Sequence, residues 1–499
     1  MPIFLSLPTK ILLWSLLAWF SASPLSAQSN WQSLATAVKA LDQDPVMRSA
    51  NWGVILLNPR TEEVVFSHQA DRSLVTASTM KALTTATALS VLGASHQFAT
   101  VLEFDGSIGA DGVLRGNVYI RGGGDPSLGS DRFGDSYALP ALLQQWQAAV
   151  QAAGIQRIAG QVIADASIYG TQVTPAKWPW EDMGNYYGAG AGGLNLHENL
   201  YYLDFKTGPS QGDATEVLRT RPEIPGIRFV NEIVSGRSGS GDNGYIFGSP
   251  YTFERYLRGT LPPGRSTFTI KGSIPDPALL TAQVLETHLT GAGILIDRGA
   301  SSLRLLRQEG PVVSGNRQVL HTHLSPTLRD LVEETNQHSL NLYAEALLLA
   351  TGYELDQSRN TTDALDALAN FWAGKGIPFS GIYLRDGSGL SPNNAISPRQ
   401  MARVMAKAHG AAWFSSFEGS LPVAGRSGTL KRMMRGTSAE GRVRAKTGYI
   451  SGVLGYVGFV QTVDGEDLCF ALMANYYSCS TREMRNRLSR IMVKMAEGK

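Results

Sequence analysis

The first arrangement in this chain that could support nucleophilic chemistry is a serine followed three residues later by a lysine, Ser78 and Lys81. An apolar stripe running to Leu92 predicts a helix that begins at Ser78, and residues three apart on a helix share one face. A serine becomes a good nucleophile only when a base removes its proton, and a lysine is such a base only if its pKa is lowered. Standing alone, the pair would more often be two ordinary surface residues. Together with further motifs, it predicts Ser78 as nucleophile and Lys81 as general base.

The tripeptide Lys-Thr-Gly occurs twice, at residues 206–208 and 446–448. Pro209 follows the first copy and has no N–H to offer an oxyanion, so we interpret that copy as a turn. Tyr449 follows the second copy, which lies in a strand-like run, and Gly448 is expected to leave room for a substrate backbone. The residues placed in the candidate site are Lys446, Thr447, Gly448 and Tyr449.

The pattern Ser-x-Asn occurs five times, and spacing alone cannot choose among the copies. The copies begin at Ser49, Ser314, Ser339, Ser358 and Ser391. The copy with Ser339 and Asn341 stands directly before an apolar helical run, where a short connection could present both side chains to a cleft. We prefer it for that reason, and the choice remains open at this level.

The composition describes a nearly neutral globular protein. The chain has 499 residues, a formal net charge of +2, 17% charged residues and 43% hydrophobic residues. At ~150 residues per domain, this length allows about three domains. No run of five or six like charges occurs, which argues against a nucleic-acid-binding face and against disorder.

The N-terminus has the pattern of a secretory signal, with Lys10 before an apolar run at residues 11–20 and small residues up to Ala27. The run is shorter than the ~20 residues that cross a bilayer, so we expect a cleaved signal peptide at residues 1–27 and export to the periplasm. A retained N-terminal anchor is the alternative. No later segment could span a membrane, so we expect no transmembrane segment in the mature chain.

Cysteine and histidine usage predicts neither a metal site nor a cofactor. Cys469 and Cys479 are the only cysteines, so at most one disulfide is possible, and its presence is left open. Neither a Cys-x-x-Cys nor a His-Glu-x-x-His sequence occurs.

The two ends of the chain predict strands flanked by helices, whereas the middle is rich in short alternating runs and turns. This pattern predicts an α/β (α+β) domain with an antiparallel sheet, split by a β-rich insert of one or two subdomains. The expected segments are 28–95 and 318–499 for the split domain and 96–317 for the insert.

Ser-x-x-Lys, Ser-x-Asn and Lys-Thr-Gly, in this chain order, form the motif set of penicillin-binding proteins and β-lactamases. Longer strings carry a closer resemblance, at residues 76–81, 123–128, 178–182, 339–345, 386–391 and 445–448. Over nearly its whole mature length, the chain resembles the D-alanyl-D-alanine carboxypeptidase/endopeptidase family of class C low-molecular-mass penicillin-binding proteins. That family carries extra domains between its first two motifs. The resemblance therefore implies a transpeptidase-like domain of the penicillin-binding-protein and β-lactamase type.

The resemblance implies a serine-type D-Ala-D-Ala carboxypeptidase that acts on peptidoglycan stem peptides and has possible endopeptidase activity. Ser78 would attack the carbonyl between two D-alanines and form an acyl-enzyme, with Lys81 as base. Ser339 would relay a proton to the leaving amine, and Asn341 would hold the substrate amide and Lys81. A β-lactam would acylate Ser78 as a covalent inhibitor.

The resemblance also implies how the substrate is held. Lys446 and Thr447 would bind its terminal carboxylate, and the N–H groups of Ser78 and Tyr449 would form the oxyanion hole. Asp165 resembles a family position that meets the free amino group of the stem peptide's third residue. An Asp that closes a strand into a turn is an equally good interpretation of Asp165.

Two alternatives remain from the sequence. A β-lactamase or esterase would use the same acylation machinery but would hydrolyse the acyl-enzyme efficiently. A catalytically silent cell-wall-binding or scaffold protein would keep the fold alone, although the three intact motifs argue against it.

Overall fold

A computed structural model of the protein describes residues 31–311 and 315–498. The predicted signal peptide, residues 1–27, lies outside the described residues. Across the described ranges, none of the helices has the combination of length and apolar character that crossing a bilayer requires.

Helices and strands follow one another in three segments. The first segment contains α1 (Gln32–Asp42), β1 (Asn51–Leu57), β2 (Val64–His68), β3 (Leu74–Val75) and α2 (Met80–Leu92). The middle segment contains β4 (Ala99–Phe104), β5 (Ser107–Ile108), β6 (Val113–Arg115), β7 (Val118–Arg121), α3 (Leu139–Ala152), β8 (Arg157–Ile158), β9 (Val162–Asp165), β10 (Leu200–Thr207), β11 (Thr215–Arg221), β12 (Arg228–Asn231), β13 (Val234–Ser235), β14 (Asn243–Phe247), β15 (Glu254–Leu261), β16 (Phe268–Ser273), α4 (Pro277–Gly291), β17 (Leu295–Ile296), β18 (Ala300–Ser302), α5 (Leu303–Glu309) and β19 (Gln318–Leu324). The last segment contains α6 (Leu328–His338), α7 (Asn341–Asp356), α8 (Thr361–Gly374), β20 (Ala395–Ile396), α9 (Pro398–His409), α10 (Phe414–Ser420), β21 (Val443–Ile450), β22 (Val453–Gln461), β23 (Asp467–Asn475) and α11 (Thr481–Glu497).

The first and last segments together build an antiparallel sheet with the strand order β2-β1-β23-β22-β21. Side chains alternate across a strand, so Val54 and Leu56 of β1 join one apolar cluster while Ile55 and Leu57 join another. Helices α1 and α11 cover the first face, and α2 and α9 belong to the cluster on the second. The predicted antiparallel sheet flanked by helices is confirmed.

Helix α2 is enclosed by protein over most of its length. Every residue from Met80 to Leu89 is buried, with α6, α7 and α9 packed around the helix. The buried hydroxyls of Thr85 and Thr87 donate to carbonyls one turn earlier in the helix, which satisfies their hydrogen bonds without water. The helix ends at Gly93, as predicted, with φ +84°. This enclosure places Lys81, in the first turn of α2, away from solvent.

The middle segment has a core of its own around residues such as Trp146 and Leu203. Its strands form four sheets, ordered β18-β9-β7-β4-β19, β17-β8-β6-β5, β11-β10-β16 and β12-β15-β13, with β14 also on β15. Strand β19 pairs antiparallel with β4, so this sheet continues past residue 317. The limits 96 and 317 stay predictions, and we propose that the insert ends after Leu324.

The structure also describes the two cysteines and the first Lys-Thr-Gly copy. Cys469 and Cys479 are both free thiols. Lys206 and Thr207 are the last residues of β10, so the interpretation of the first Lys-Thr-Gly copy as a turn was wrong for these two residues.

Candidate active site

Ser78 lies in a short turn of 3₁₀ helix immediately before α2, so the α-helix proper begins later than predicted. Ala77 adopts φ +43°, a left-handed conformation that residues other than glycine rarely take. The N–H and the hydroxyl of Thr79 both donate to the Thr76 carbonyl. Gly389 covers the turn so closely that a Cβ there would lie 1.8 Å from Ala77 O. The surroundings therefore hold the nucleophile turn in a strained conformation.

The Lys81 amine is arranged to act as a base toward Ser78. Its Nζ lies 3.0 Å from Ser78 Oγ, 2.6 Å from Asn341 Oδ1 and 2.6 Å from the Ser388 carbonyl oxygen. Burial lowers the pKa of Lys81 to about 7, against the opposing effect of Asp386 and Glu345. A neutral amine has two hydrogens and one lone pair. Because two carbonyl oxygens can accept the hydrogens, the lone pair is left for the Ser78 hydroxyl.

Ser339 and Asn341 lie on either side of the junction between α6 and α7. Ser339 caps the C-terminus of α6 with φ +59° and ψ +43°, and Asn341 is the first residue of α7. The Asn341 Nδ2 donates to the Tyr187 carbonyl at 2.8 Å, while its Oδ1 faces Lys81. The preferred Ser-x-Asn copy is therefore the one that the fold brings to the Ser78–Lys81 pair.

Lys446 lies on β21, fully buried, and joins the second serine to the cluster. Its Nζ donates to Ser339 Oγ at 3.0 Å and to the Thr447 carbonyl at 2.8 Å. Burial lowers the pKa of Lys446 well below its ordinary value, and the nearby Lys81 lowers it further. The Thr447 Oγ1 lies 2.9 Å from Thr429 Oγ1, and Tyr449 is half exposed. The cluster thus contains two buried amines, each next to a serine hydroxyl.

Gly448 is required for a reason other than the predicted one. A Cβ at this position would lie 2.6 Å from Thr76 O and 2.7 Å from Thr79 N. The space is filled by the backbone of the nucleophile turn, so the expectation that Gly448 leaves room for substrate was wrong on this side of the residue. The glycine lets β21 approach the turn that carries Ser78.

A cavity of about 350 Å³ opens over this cluster, and Ser78, Ser339, Thr447 and Tyr449 contribute to its wall. Its size would admit the end of a peptide rather than a folded chain.

Comparison with known proteins assigns the chain to a family. The model of the D-Ala-D-Ala carboxypeptidase 3 (S13) family matches residues 34–497. The chain belongs to this family. A D-alanyl-D-alanine carboxypeptidase from an Actinomadura species is 29% identical, over 92% of this chain and 84% of the relative. The protein is thus a D-Ala-D-Ala carboxypeptidase of the class C penicillin-binding type, as its motifs predicted.

Solved structures show the same fold. The crystal structure of penicillin binding protein 4 from Haemophilus influenzae has a TM-score of 0.76 at 22% identity, covering 93% of this chain and 98% of that protein. The same Haemophilus protein complexed with a β-lactam has a TM-score of 0.73 at 22% identity, with the same coverage. The predicted fold class is confirmed.

The S13 carboxypeptidase has a loop at residues 386–391 that sequence reasoning quoted in the resemblance without giving it a role. Glu345 accepts hydrogen bonds from the N–H groups of Gly387, at 3.0 Å, and Ser388, at 2.8 Å. Asp386 accepts from two N–H groups farther along the loop, and from Trp178 Nε1 at 2.8 Å. Burial raises the pKa of both carboxyls. The loop is fixed so that the Ser388 carbonyl faces Lys81.

Asp165 is the one predicted site residue of the carboxypeptidase that the structure keeps apart from this cluster. It ends β9 in the middle segment, where its Oδ2 accepts from Arg317 at 2.7 Å and its Oδ1 accepts from the Ser167 N–H at 3.0 Å. None of its hydrogen bonds in the described part of the chain reaches the Ser78 cluster. Its carboxylate is already paired with a cation.

Proposed function

We propose that this carboxypeptidase removes the terminal D-alanine from peptidoglycan stem peptides through an acyl-enzyme on Ser78. The observation that carries the proposal is the buried Lys81 amine, 3.0 Å from Ser78 Oγ, with two carbonyl oxygens placed to accept its hydrogens. A neutral lysine in this position can accept the proton that makes the hydroxyl nucleophilic.

Acylation then follows from the positions of the groups. Lys81 takes the Ser78 proton as the Oγ–carbon bond forms, and the N–H groups of Ser78 and Tyr449 stabilise the oxyanion. Ser339, hydrogen-bonded to the Lys446 amine, gives its hydroxyl proton to the leaving nitrogen as the carbon–nitrogen bond breaks, and it regains a proton from the protonated Lys81, which becomes neutral again. Water hydrolyses the resulting ester and frees Ser78. Atoms and charge balance without a cofactor.

Substrate contacts extend the proposal. Thr447 lines the cavity beside Ser78 and offers its hydroxyl to the terminal carboxylate, and Asn341 offers its amide to the substrate backbone. Asp165 can meet the amino group of the third stem-peptide residue only by sharing its carboxylate with Arg317. Cross-linked stem peptides, cleaved as endopeptidase substrates, present the same kind of bond to Ser78.

The location follows from the substrate. Because peptidoglycan lies outside the cytoplasmic membrane, we propose that residues 1–27 direct export to the periplasm. Partners are then stem peptides as substrates and β-lactams as covalent inhibitors, with no nucleic acid.

Intact-mass spectrometry after brief exposure to penicillin G tests the proposal, with Ser78→Ala in parallel and D-alanine release from a D-Ala-D-Ala peptide as the second readout. We expect a drug-mass adduct on the wild type alone, persisting after free drug is removed, and D-alanine release that Ser78→Ala abolishes. Rapid loss of the adduct would favour a β-lactamase. A folded protein with no adduct and no D-alanine release would favour a silent scaffold.

A further inference from the structure

The cavity over Ser78 continues past Thr447 to the last helix. There its wall is formed by Met433 and Tyr456, and by Arg485 from α11. Among the described residues that line it, Arg485 alone carries a permanent charge. The cavity therefore joins the nucleophile to one guanidinium.

Arg485 is available to bind a ligand. It is exposed, and within residues 31–311 and 315–498 it forms no ion pair with a carboxylate, whereas Arg487 on the same helix pairs with Asp44 at 2.9 Å. Its guanidinium lies beside the buried Tyr456 phenol, and it lowers the pKa of that phenol, which burial raises. A guanidinium in the wall of a cavity, without a carboxylate partner among the described residues, can bind an anion.

Lys446 is poorly placed to supply that charge. Its side chain is fully buried, and its Nζ already donates to Ser339 Oγ and to the Thr447 carbonyl. The charge of the nearby Lys81 also lowers the pKa of Lys446 and so disfavours its ammonium form. A substrate carboxylate beside Thr447 would therefore lack a firm positive partner within the Ser78 cluster itself.

We propose that Arg485 recognises the terminal carboxylate of the substrate and makes the enzyme select peptides that end in a free acid. This inference rests on the proposed function, because it assumes that the scissile peptide is seated on Ser78 with its C-terminus beside Thr447. A guanidinium and a carboxylate can form two parallel hydrogen bonds, so the pair adds orientation as well as attraction. An amide at the same end offers no charge to this partner.

Two peptides test the proposal, one ending in D-Ala-D-Ala with a free carboxylate and the same peptide with a C-terminal amide. For Arg485→Gln we expect kcat/KM on the acid to fall by about 10- to 100-fold, mainly through KM, with little change on the amide. Arg485→Lys should recover part of the loss because it restores the charge. The matched control is Arg482→Gln, an exposed arginine on the same helix that does not line the cavity.

Calorimetry with the same two peptides and the Ser78→Ala protein tests carboxylate recognition separately from catalysis. We expect the acid to bind more tightly than the amide, and Arg485→Gln to remove the difference. Two results would overturn the inference. One is equal affinity for the acid and the amide in Ser78→Ala with Arg485 intact, and the other is an equal fall of kcat/KM on both peptides in Arg485→Gln. If Arg485→Gln cleaves the acid peptide at the wild-type rate and still prefers it to the amide, the inference about Arg485 is wrong but the proposed function is unaffected. Acid-selective binding without any cleavage would leave Arg485 in its role and remove the proposed function.

Discussion

The charge of Lys81 lowers the pKa of Lys446, and both amines are enclosed by protein. Two ammonium groups in one buried cluster are unfavourable, since burial and mutual repulsion both disfavour charge. Each amine instead finds a serine hydroxyl at 3.0 Å. Burial lowers the pKa of Lys81 to about 7 and so keeps a base beside Ser78 near neutral pH.

The pH dependence of acylation should report the Lys81 amine. With a pKa of about 7, Lys81 is protonated below neutral pH and is neutral above it, and only the neutral form can accept the Ser78 proton. The second-order rate of penicillin G acylation should therefore rise about tenfold per pH unit below pH 7 and level off above it. Stopped-flow or quenched mass spectrometry from pH 5 to 9 measures this profile. A flat profile, or a rate that falls through pH 7, would exclude Lys81 as the base.

Lys81→Arg separates proton transfer from charge. Arginine keeps a positive charge but stays protonated, so it cannot take the Ser78 proton. We expect the acylation rate to fall by about 100- to 10,000-fold. The control is Lys431→Arg, an exposed lysine, which should leave the rate unchanged. Near-normal acylation in folded Lys81→Arg would contradict a general-base role.

Gly448→Ala should disable the site without touching a polar group. The added Cβ would meet Thr76 O at 2.6 Å and Thr79 N at 2.7 Å, and both are backbone atoms that cannot move aside cheaply. A displacement of about 1 Å in the nucleophile turn would lower acylation by about 100-fold. Gly419→Ala, in α10 with open space around its Cα, is the matched control and should keep full activity. Normal acylation in Gly448→Ala would show that the turn and β21 can separate freely.

Glu345→Gln tests whether Glu345 holds the 386–391 loop in position beside Lys81. Both oxygens of the Glu345 carboxyl accept N–H groups, Gly387 on Oε2 and Ser388 on Oε1, and glutamine would replace one of these oxygens by an NH₂ donor. We expect the free energy of unfolding to fall by about 1–3 kcal/mol, together with slower acylation as the Ser388 carbonyl shifts from Lys81. Chemical denaturation and penicillin labelling measure the two effects. Glu333→Gln, on the exposed side of α6, should change neither, and wild-type values in Glu345→Gln would deny the loop its positioning role.

Side-chain chemistry made the centre of the site predictable. The three-residue spacing of Ser78 and Lys81 on a helix, and the proline after the first Lys-Thr-Gly copy, pointed to groups that the fold brings together. Strands at the C-terminal end were also predictable, because β22 and β23 are apolar runs that are buried almost throughout. Hydrophobic periodicity is a local property that can be recognised directly in a sequence.

What the sequence left out depends on backbone atoms and on distant pairing. The Ser388 carbonyl belongs to no side-chain motif, yet it accepts a hydrogen bond from Lys81 Nζ at 2.6 Å. The left-handed conformations of Ala77 and Ser339 have no residue signature, because neither is a glycine. The pairing of β19 with β4 joins strands far apart in the chain, and turn patterns do not reveal such a partner.

The strand order determines when the active site can form during synthesis of the chain. Strand β1, close to the start of the chain, lies between β2 and β23, and the turn carrying Ser78 is packed against Gly389 and Gly448 from the last segment. During synthesis from the N-terminus, Ser78 and Lys81 are therefore made long before Lys446, Tyr449 and the rest of β21, which complete the site. Acylation of Ser78 therefore becomes possible only after the last strands have been synthesised and β23 has paired with β1.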